Sequence, residues 1–409
     1  MKVVHLVKLP DGGATWCAMR ISEALRKQGV DSSLLLMQGK PSKGIDIAES
    51  HWLYKKHGNA FIRLLMKVLK IVVRPNYEYY KWRRKQAERT ATEFFTSPLT
   101  DYISLPNHPA IKSADIVQMH WVADFIDFPS FFRKVKKPII WRIADENPGL
   151  GGFHFKMNLQ QANAVYQKLD ADYAKIKKRA ILHGNTPHLV AISTMMKQYF
   201  EQNDILRNCP ITMIHNGVEG ELFKMLNKEQ SREFLELPKD KKIFLFSSYK
   251  IEDKRKGLSL LIDALERLND DSVCLVCLGG YESVPVAKID VFCAGLVRDK
   301  NVLSQYYSAS DFFVLSSFQE AFAQTPLEAM SCGTPVISFP CSGAADLINE
   351  ENGVLCDDFT TEALKNGIRT ALGKTYDRQQ IRESVLARFS YDKIARQYIE
   401  LYKSLLNDK

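Results

Sequence analysis

No run of this 409-residue chain stays apolar for the ~18 residues that a membrane-spanning helix needs, so a spanning architecture is not expected. Low-complexity tracts are missing as well. With 45% hydrophobic and 25% charged residues, the composition is that of a soluble globular protein rather than a disordered or fibrous one. The opening stretch, MKVVHLVKLPDGG, reads as a strand and a glycine turn without the apolar core of a secretory signal, so a cytoplasmic protein is expected. Metal-ligand spacing is also lacking. The eight cysteines (17, 209, 274, 277, 293, 332, 341 and 356) are scattered, and the Cys274–Cys277 C-x-x-C falls inside the strand-like SVCLVCLGG. No second cysteine pair or suitable histidines complete a site, so these read as reduced structural thiols, and neither a metal nor another cofactor is expected.

What the chain does have is length for two domains and a repeating pattern. KVVHLVKL leads through DGGAT into a helix from about Trp16 to Gly29. The short apolar runs DSSLLLM, ADIVQMHW, PIIWRIAD, HLVAIS and ITMIHNG follow. The pattern restarts with KIFLFSS and a helix from Leu258 to Leu268, then SVCLVCLGG, VFCAGLV, DFFVLSS and PVISF. Two successive sets of β-α units predict an α/β protein of two doubly wound, Rossmann-like domains facing across a cleft. The expected boundaries are 1–217, 218–388 and a docking helix in 389–409 that packs back on the N-terminal domain.

Net charge is +9 and is concentrated. Between Lys55 and Arg89 stand eleven Lys and Arg against Glu78 and Glu88, which accounts for the whole excess. Arg63, Lys67, Lys70 and Arg74 follow helical spacing, with apolar residues between them. Such a helix either lies on an anionic membrane or turns its apolar side to the core and its basic side to water. Tyr77, Tyr79, Tyr80 and Trp82 could stack on bases, but no nucleic-acid module surrounds them, and a nucleic-acid partner is not expected.

Residues 318–330, FQEAFAQTPLEAM, place Glu320 and Glu328 on either side of a Thr-Pro. The apolar run before them is a buried strand. Thr325 as cap, Pro326 at the first helical position and Glu328 at the third would form a capping box, and Gly333 would close the helix in the left-handed conformation. Glu320 then falls beyond a strand's carboxyl end, where open α/β sheets bind ligands, beside main-chain N–H groups that favour an anion.

The run from Ser310 to Leu355, with its Glu-x7-Glu pair and LEAMSCGTPVI, closely resembles the donor-binding region of retaining glycosyltransferases of family 4, which have the GT-B fold. HNGVEGELF (215–223), SSYKIEDKRKGLSLLIDAL (247–265) and the Gly12-Gly13-Ala14 loop match in the same order. The resemblance implies an enzyme that moves a sugar from a nucleotide-sugar donor to a glycan or lipid-linked acceptor hydroxyl, in envelope polysaccharide, capsule or lipopolysaccharide synthesis. With no metal site apparent it is expected to be metal-independent, and the basic 55–89 segment adds the expectation of a lipid-linked acceptor and of a cytoplasmic protein peripheral on the inner membrane face. The resemblance also implies that Glu320 contacts donor-sugar hydroxyls and Glu328 the ribose. Phe322, Ala323, Gln324 and Thr325 would present main-chain N–H groups to the diphosphate and sugar. Lys250 and Lys256 match the family's phosphate-binding cations, although EDKRK is also ordinary loop chemistry. Gly12 and Gly13 would let the backbone approach the donor, or make only a tight turn.

One position departs from the pattern. Where relatives read roughly Thr-Leu-His-Asp-x-Trp-Pro-x-x-Gly-Gly, this chain has WRIADENPGLGG, and the family's active-site histidine falls on Ala144. His120, Asp145 and His154 are the candidates to fill its role. Two rival readings follow: a catalytically impaired nucleotide-sugar-binding homologue or scaffold, and a GT-B relative with other chemistry, such as an epimerase.

Overall fold

Short apolar runs in both halves become parallel strands. The computed structural model describes residues 1–9, 12–39, 44–47, 72, 74–91, 94–320, 322–341 and 343–407. They form two units: Met1–Ala191 with Met196–Ile214 and Ala395–Lys409, and His215–Ile394 with Ile192–Met195.

In the N-terminal unit the strands are β1 (Lys2–Val7), β2 (Asp31–Leu36), β3 (Ile45–Ile47), β4 (Ile116–Met119), β5 (Ile139–Ile143), β6 (His188–Ala191) and β7 (Ile211–Met213). Their order is β3-β2-β1-β4-β5-β6-β7 and every pair is parallel. In the C-terminal unit β8 (Lys242–Lys250), β9 (Val273–Gly280), β10 (Asp290–Gly295), β11 (Phe312–Leu315), β12 (Val336–Ser338) and β13 (Gly353–Leu355) run β10-β9-β8-β11-β12-β13, again all parallel. Both sheets are doubly wound, and their central strands are buried on both faces, which explains the unbroken apolar runs. The order reverses between β1 and β4 in one unit and between β8 and β11 in the other, the places where such sheets hold ligands.

The described helices include α1 (Gly13–Lys27), α2 (Pro75–Thr90), α3 (Ala164–Leu182), α4 (Leu258–Glu266), α5 (Gln324–Ser331) and α6 (Tyr391–Asn407). From Ala395 onward α6 belongs to the N-terminal unit, where the buried Tyr402 hydroxyl donates to Gln118 of β4. The chain's last helix thus returns to the first sheet, as expected. The strands β3 and β13 were not foreseen, because three residues show no periodicity. Nor was α3, whose buried face includes Asp170 and Lys177 and so breaks the apolar spacing.

Candidate active site

At the reversal point of the C-terminal sheet lies a pocket of about 270 Å³. Ser247 and Ser248 of β8, Gly279 at the end of β9, and Glu320, Gln324 and Glu328 are among its lining residues, with Lys256 opposite. Gly279 (φ 145°) is required there, because a side chain would sit 2.1 Å from the Ser248 carbonyl oxygen. Lys256 Nζ forms an ion pair with Glu320, and both side chains are mostly buried. The turn Lys254–Lys256 is capped by the Asp253 carboxylate, which accepts from Arg255 N at 3.0 Å. Gly257 (φ 69°) then presses against β11's exit so closely that a Cβ would lie 2.1 Å from the Ser316 carbonyl oxygen. The Ser316 hydroxyl donates to the Lys256 carbonyl at 2.9 Å and completes the tether.

The helix start differs from the expected capping box. α5 begins at Gln324 with Ala323 as its N-cap, and no side chain caps it. Pro326 is therefore the third helical residue and Glu328 the fifth, so Thr325 and Glu328 cannot cap one another. The start moves back because Asn216 Nδ2 donates to the Phe322 carbonyl at 3.3 Å and the Gln324 amide donates to the Gly217 carbonyl, which fix the loop from behind. The first N–H groups of α5 keep no side-chain cap, which leaves them suited to an anion. Glu328 is buried and accepts from the Tyr307 hydroxyl at 2.9 Å. Burial and that carboxylate push the Tyr307 hydroxyl well above its ordinary pKa, so it stays a donor. Gly333 takes the left-handed conformation (φ 77°) after the helix, as expected.

Of the candidate residues in this unit, Lys256, Glu320, Ala323, Gln324, Thr325 and Glu328 line one pocket. Phe322 is buried, with its ring against His215 and Phe389. Lys250 is not among the lining residues, and it pairs with Glu282 at 2.6 Å on the surface. Tyr307, Ser316, Gly257 and Gly279 were missed. Only the glycines left a signal, each closing a strand or turn next to a matched motif.

In the N-terminal unit, Gly12 caps α1 with φ 111°, which favours glycine, while a Cβ on Gly12 or Gly13 would meet nothing within 4 Å. His120, Ala144 and Asp145 line one small cavity of about 10 Å³, room for a single water-sized group. Asp145 Oδ2 is 2.6 Å from His154 Nδ1 and accepts from Trp121 Nε1 at 3.0 Å. His154 Nε2 lies 3.2 Å from the Thr96 hydroxyl, so both of its ring nitrogens are engaged. The buried Lys177 ammonium donates to the carbonyls of Asn147 (2.7 Å) and Leu150 (2.8 Å) and pins the turn after Asp145. Burial brings its pKa down to about 7 against the pull of Asp170, Asp145 and Asp124. Gly151 and Gly152 are explained by packing. A Cβ on Gly151 would lie 1.8 Å from the Asp170 carbonyl oxygen, and the Asp170 carboxylate accepts from Gly152 N at 2.7 Å.

Much of the 55–89 segment, with Arg63, Lys67 and Lys70, lies outside the described residues. Arg74 does not present its charge to solvent. It pairs with Asp127 at 2.5 Å and donates to the Thr100 carbonyl at 2.7 Å. Arg84 pairs with Asp124 at 3.0 Å, while Tyr79 and Trp82 of α2 are exposed. No described helix is long and apolar enough to cross a membrane. The described residues hold no cluster of three or more His, Cys, Asp or Glu arranged for a metal ion.

Two Rossmann-like units, the C-terminal one with a ligand-sized pocket at its reversal point, define the GT-B architecture. Residues 240–374, within the C-terminal unit, match the family model described as glycosyl transferases group 1. Glycogen synthase from Clostridium novyi is 26% identical over 203 residues, 45% of this chain and 42% of that one; the chain thus spans less than half of that relative. Among solved structures, sucrose-phosphate synthase from Thermosynechococcus elongatus superposes over 100% of both chains with a TM-score of 0.68 at 18% identity. Anabaena HepE, solved with UDP and glucose, covers 99% of this chain and 100% of its own with a TM-score of 0.65 at 17% identity. WaaG, a glycosyltransferase involved in lipopolysaccharide biosynthesis, gives 0.57 at 19% identity over 99% of this chain and 98% of its own. At these identities the structural likeness speaks for the fold.

Proposed function

We propose that this chain is a retaining glycosyltransferase that moves a sugar from a nucleotide-sugar donor to a hydroxyl of a glycan or lipid-linked acceptor. The carrying observation is the C-terminal pocket, where a cation, a carboxylate and an uncapped helix start converge. A ligand with phosphate and hydroxyl groups side by side satisfies all three. Lys256 and the first N–H groups of α5 take the diphosphate, Glu320 accepts from sugar hydroxyls, and Glu328, held by Tyr307, accepts from the ribose. The bond from the anomeric carbon to the phosphate oxygen breaks while the bond to the acceptor oxygen forms on the same face, and the acceptor proton passes to the leaving phosphate. The protein's contribution is position and charge, so no protein nucleophile is required. Glycogen synthase, HepE with UDP and glucose, and WaaG support a nucleotide-sugar donor and an envelope-polysaccharide setting. Association with an anionic membrane through Arg63, Lys67 and Lys70 belongs to the same reading, with Arg74 withdrawn from the stripe. Co-sedimentation with anionic vesicles at low salt tests it.

The deciding experiment is a thermal-shift panel of UDP-glucose, UDP-galactose, ADP-glucose and GDP-mannose, followed by anomeric analysis of the transfer product. Stabilisation by one donor and a product of unchanged anomeric configuration are expected. An inverted product overturns the retaining assignment. Binding without turnover selects the second reading, an impaired homologue, which Ala144 favours.

A further inference from the structure

Beside Ala144, one polar atom has no partner. His120 is 2% exposed, its Nε2 lies 2.9 Å from His5 Nδ1, and its Nδ1 is buried without a hydrogen bond. His120 lines the small cavity that Ala144 and Asp145 share. Behind it, His5 Nε2 is 3.0 Å from the Ser32 hydroxyl, which is 2.7 Å from the Ser22 hydroxyl. Strands β1 and β2, the residue that follows β4, and α1 therefore hold a chain of four groups that ends at the cavity.

A bond between two imidazoles holds one proton, so the tautomers are linked. If His5 donates from Nδ1, His120 carries its own proton on Nδ1 and offers a donor to the cavity. If His120 donates from Nε2, His5 carries its proton on Nε2 toward Ser32, and His120 Nδ1 offers a lone pair. Both arrangements contain the same protons and no charge. Burial keeps the two rings neutral, and the charged groups nearby, Arg26 beside His5 and Arg142 beside His120, act in the same direction.

We propose that His5 is a positioning residue that lets His120 Nδ1 act as donor or acceptor toward a hydroxyl group entering the Ala144 cavity. A hydroxyl is the group that gains, because it can answer either state. The inference rests on the glycosyltransferase reading for the identity of that hydroxyl, as one belonging to a sugar. It does not need that reading for the linked pair.

The test uses the full chain with ¹⁵N-labelled histidine. Each of the two rings should show one protonated nitrogen from pH 5 to 8, and His5→Phe should change the tautomer signature of His120. A ring that becomes cationic in that window, or a His120 signature unmoved by His5→Phe, overturns the proposal. Turnover of whichever panel donor is active should fall at least tenfold in His5→Phe. His5→Asn, whose amide can still donate or accept toward His120, should recover most of it. The His5→Phe, His120→Phe double variant should be no worse than His120→Phe alone, since one residue acts through the other. Additive losses would show that His5 matters only for folding. If no donor turns over in the wild type, the enzymatic reading fails while the ring spectra still decide the pair.

Discussion

The two units repeat one winding but furnish the reversal of strand order with opposite chemistry. Between β8 and β11 the opening is about 270 Å³ and charged, with Lys256 against Glu320 and the buried Glu328 behind. Between β1 and β4 the side chains are His5 and His120, buried and neutral, and the cavity beside His120 holds only about 10 Å³. The fold alone therefore does not fix what a reversal point binds. A glycine turn that pushes a lysine into the opening produces an anion site. Histidines that bond each other place neutral hydrogen-bonding groups there instead, with Asp145 and Arg142 also lining the small cavity.

If the comparison holds, the largest effect follows from removing charge at the C-terminal pocket. Glu320→Ala should lower kcat by ~10²–10³-fold, about 3–4 kcal/mol of transition-state stabilisation, with the melting temperature little changed. Near-normal turnover would remove the contrast between the sites.

The neutral site should show itself in acid. His5 is held at about 3, below its ordinary 6.5, by burial first and Arg26 second. Its folded pKa is depressed, so the native state should lose stability as pH falls below 6.5 toward 3, by roughly 3 kcal/mol at pH 4. Residues 192–195 and 215–394, the C-terminal unit, contain no tryptophan, so tryptophan fluorescence reads the N-terminal unit's unfolding. His5→Phe should flatten the dependence.

Smaller again is the difference between the two lysines that resemblance pairs together. Lys256→Met should weaken UDP binding by about 2 kcal/mol, while uridine is hardly affected. Lys250→Met should change either by less than about twofold, because Lys250 is paired with Glu282 outside the pocket lining. Calorimetry with UDP and uridine measures both. Equal losses for the two lysines would mean that the pocket's cation has been misassigned.

The smallest effect concerns Glu328. Tyr307→Phe removes the 2.9 Å hydrogen bond to its carboxylate and should cost about 1 kcal/mol of nucleotide affinity. Thr325→Ala should leave stability unchanged within about 0.5 kcal/mol, because Thr325 does not cap α5. A loss near 1 kcal/mol would restore the capping box.

Much of this was legible in one dimension. Buried parallel strands read as unbroken apolar runs, so most strands, the doubling of the β-α pattern and the return of the last helix could be stated before any coordinates. The Glu-x7-Glu spacing located the pocket because a strand end and a helix start must flank it. The start of α5 was misplaced because Thr-Pro and a glutamate satisfy the local rule for a cap. Long-range bonds from Asn216 and Gln324 set the first turn instead. α3 escaped notice because Lys177 and Asp170 occupy its buried face, where their partners are backbone groups more than ten residues away.

By itself the sequence determined the class of fold, most of its buried strands and the stretch that lines the charged pocket. These depend on periodicity, turn residues and the neighbours of each residue along the chain. Only the tertiary structure decided that Lys256 rather than Lys250 enters that pocket, that Arg74 leaves the basic stripe for Asp127, and that His5 stands behind His120. Each is a question of which polar groups meet after chain separations of 32 to 115 residues. Burial makes such meetings energetically decisive, and no local pattern records them.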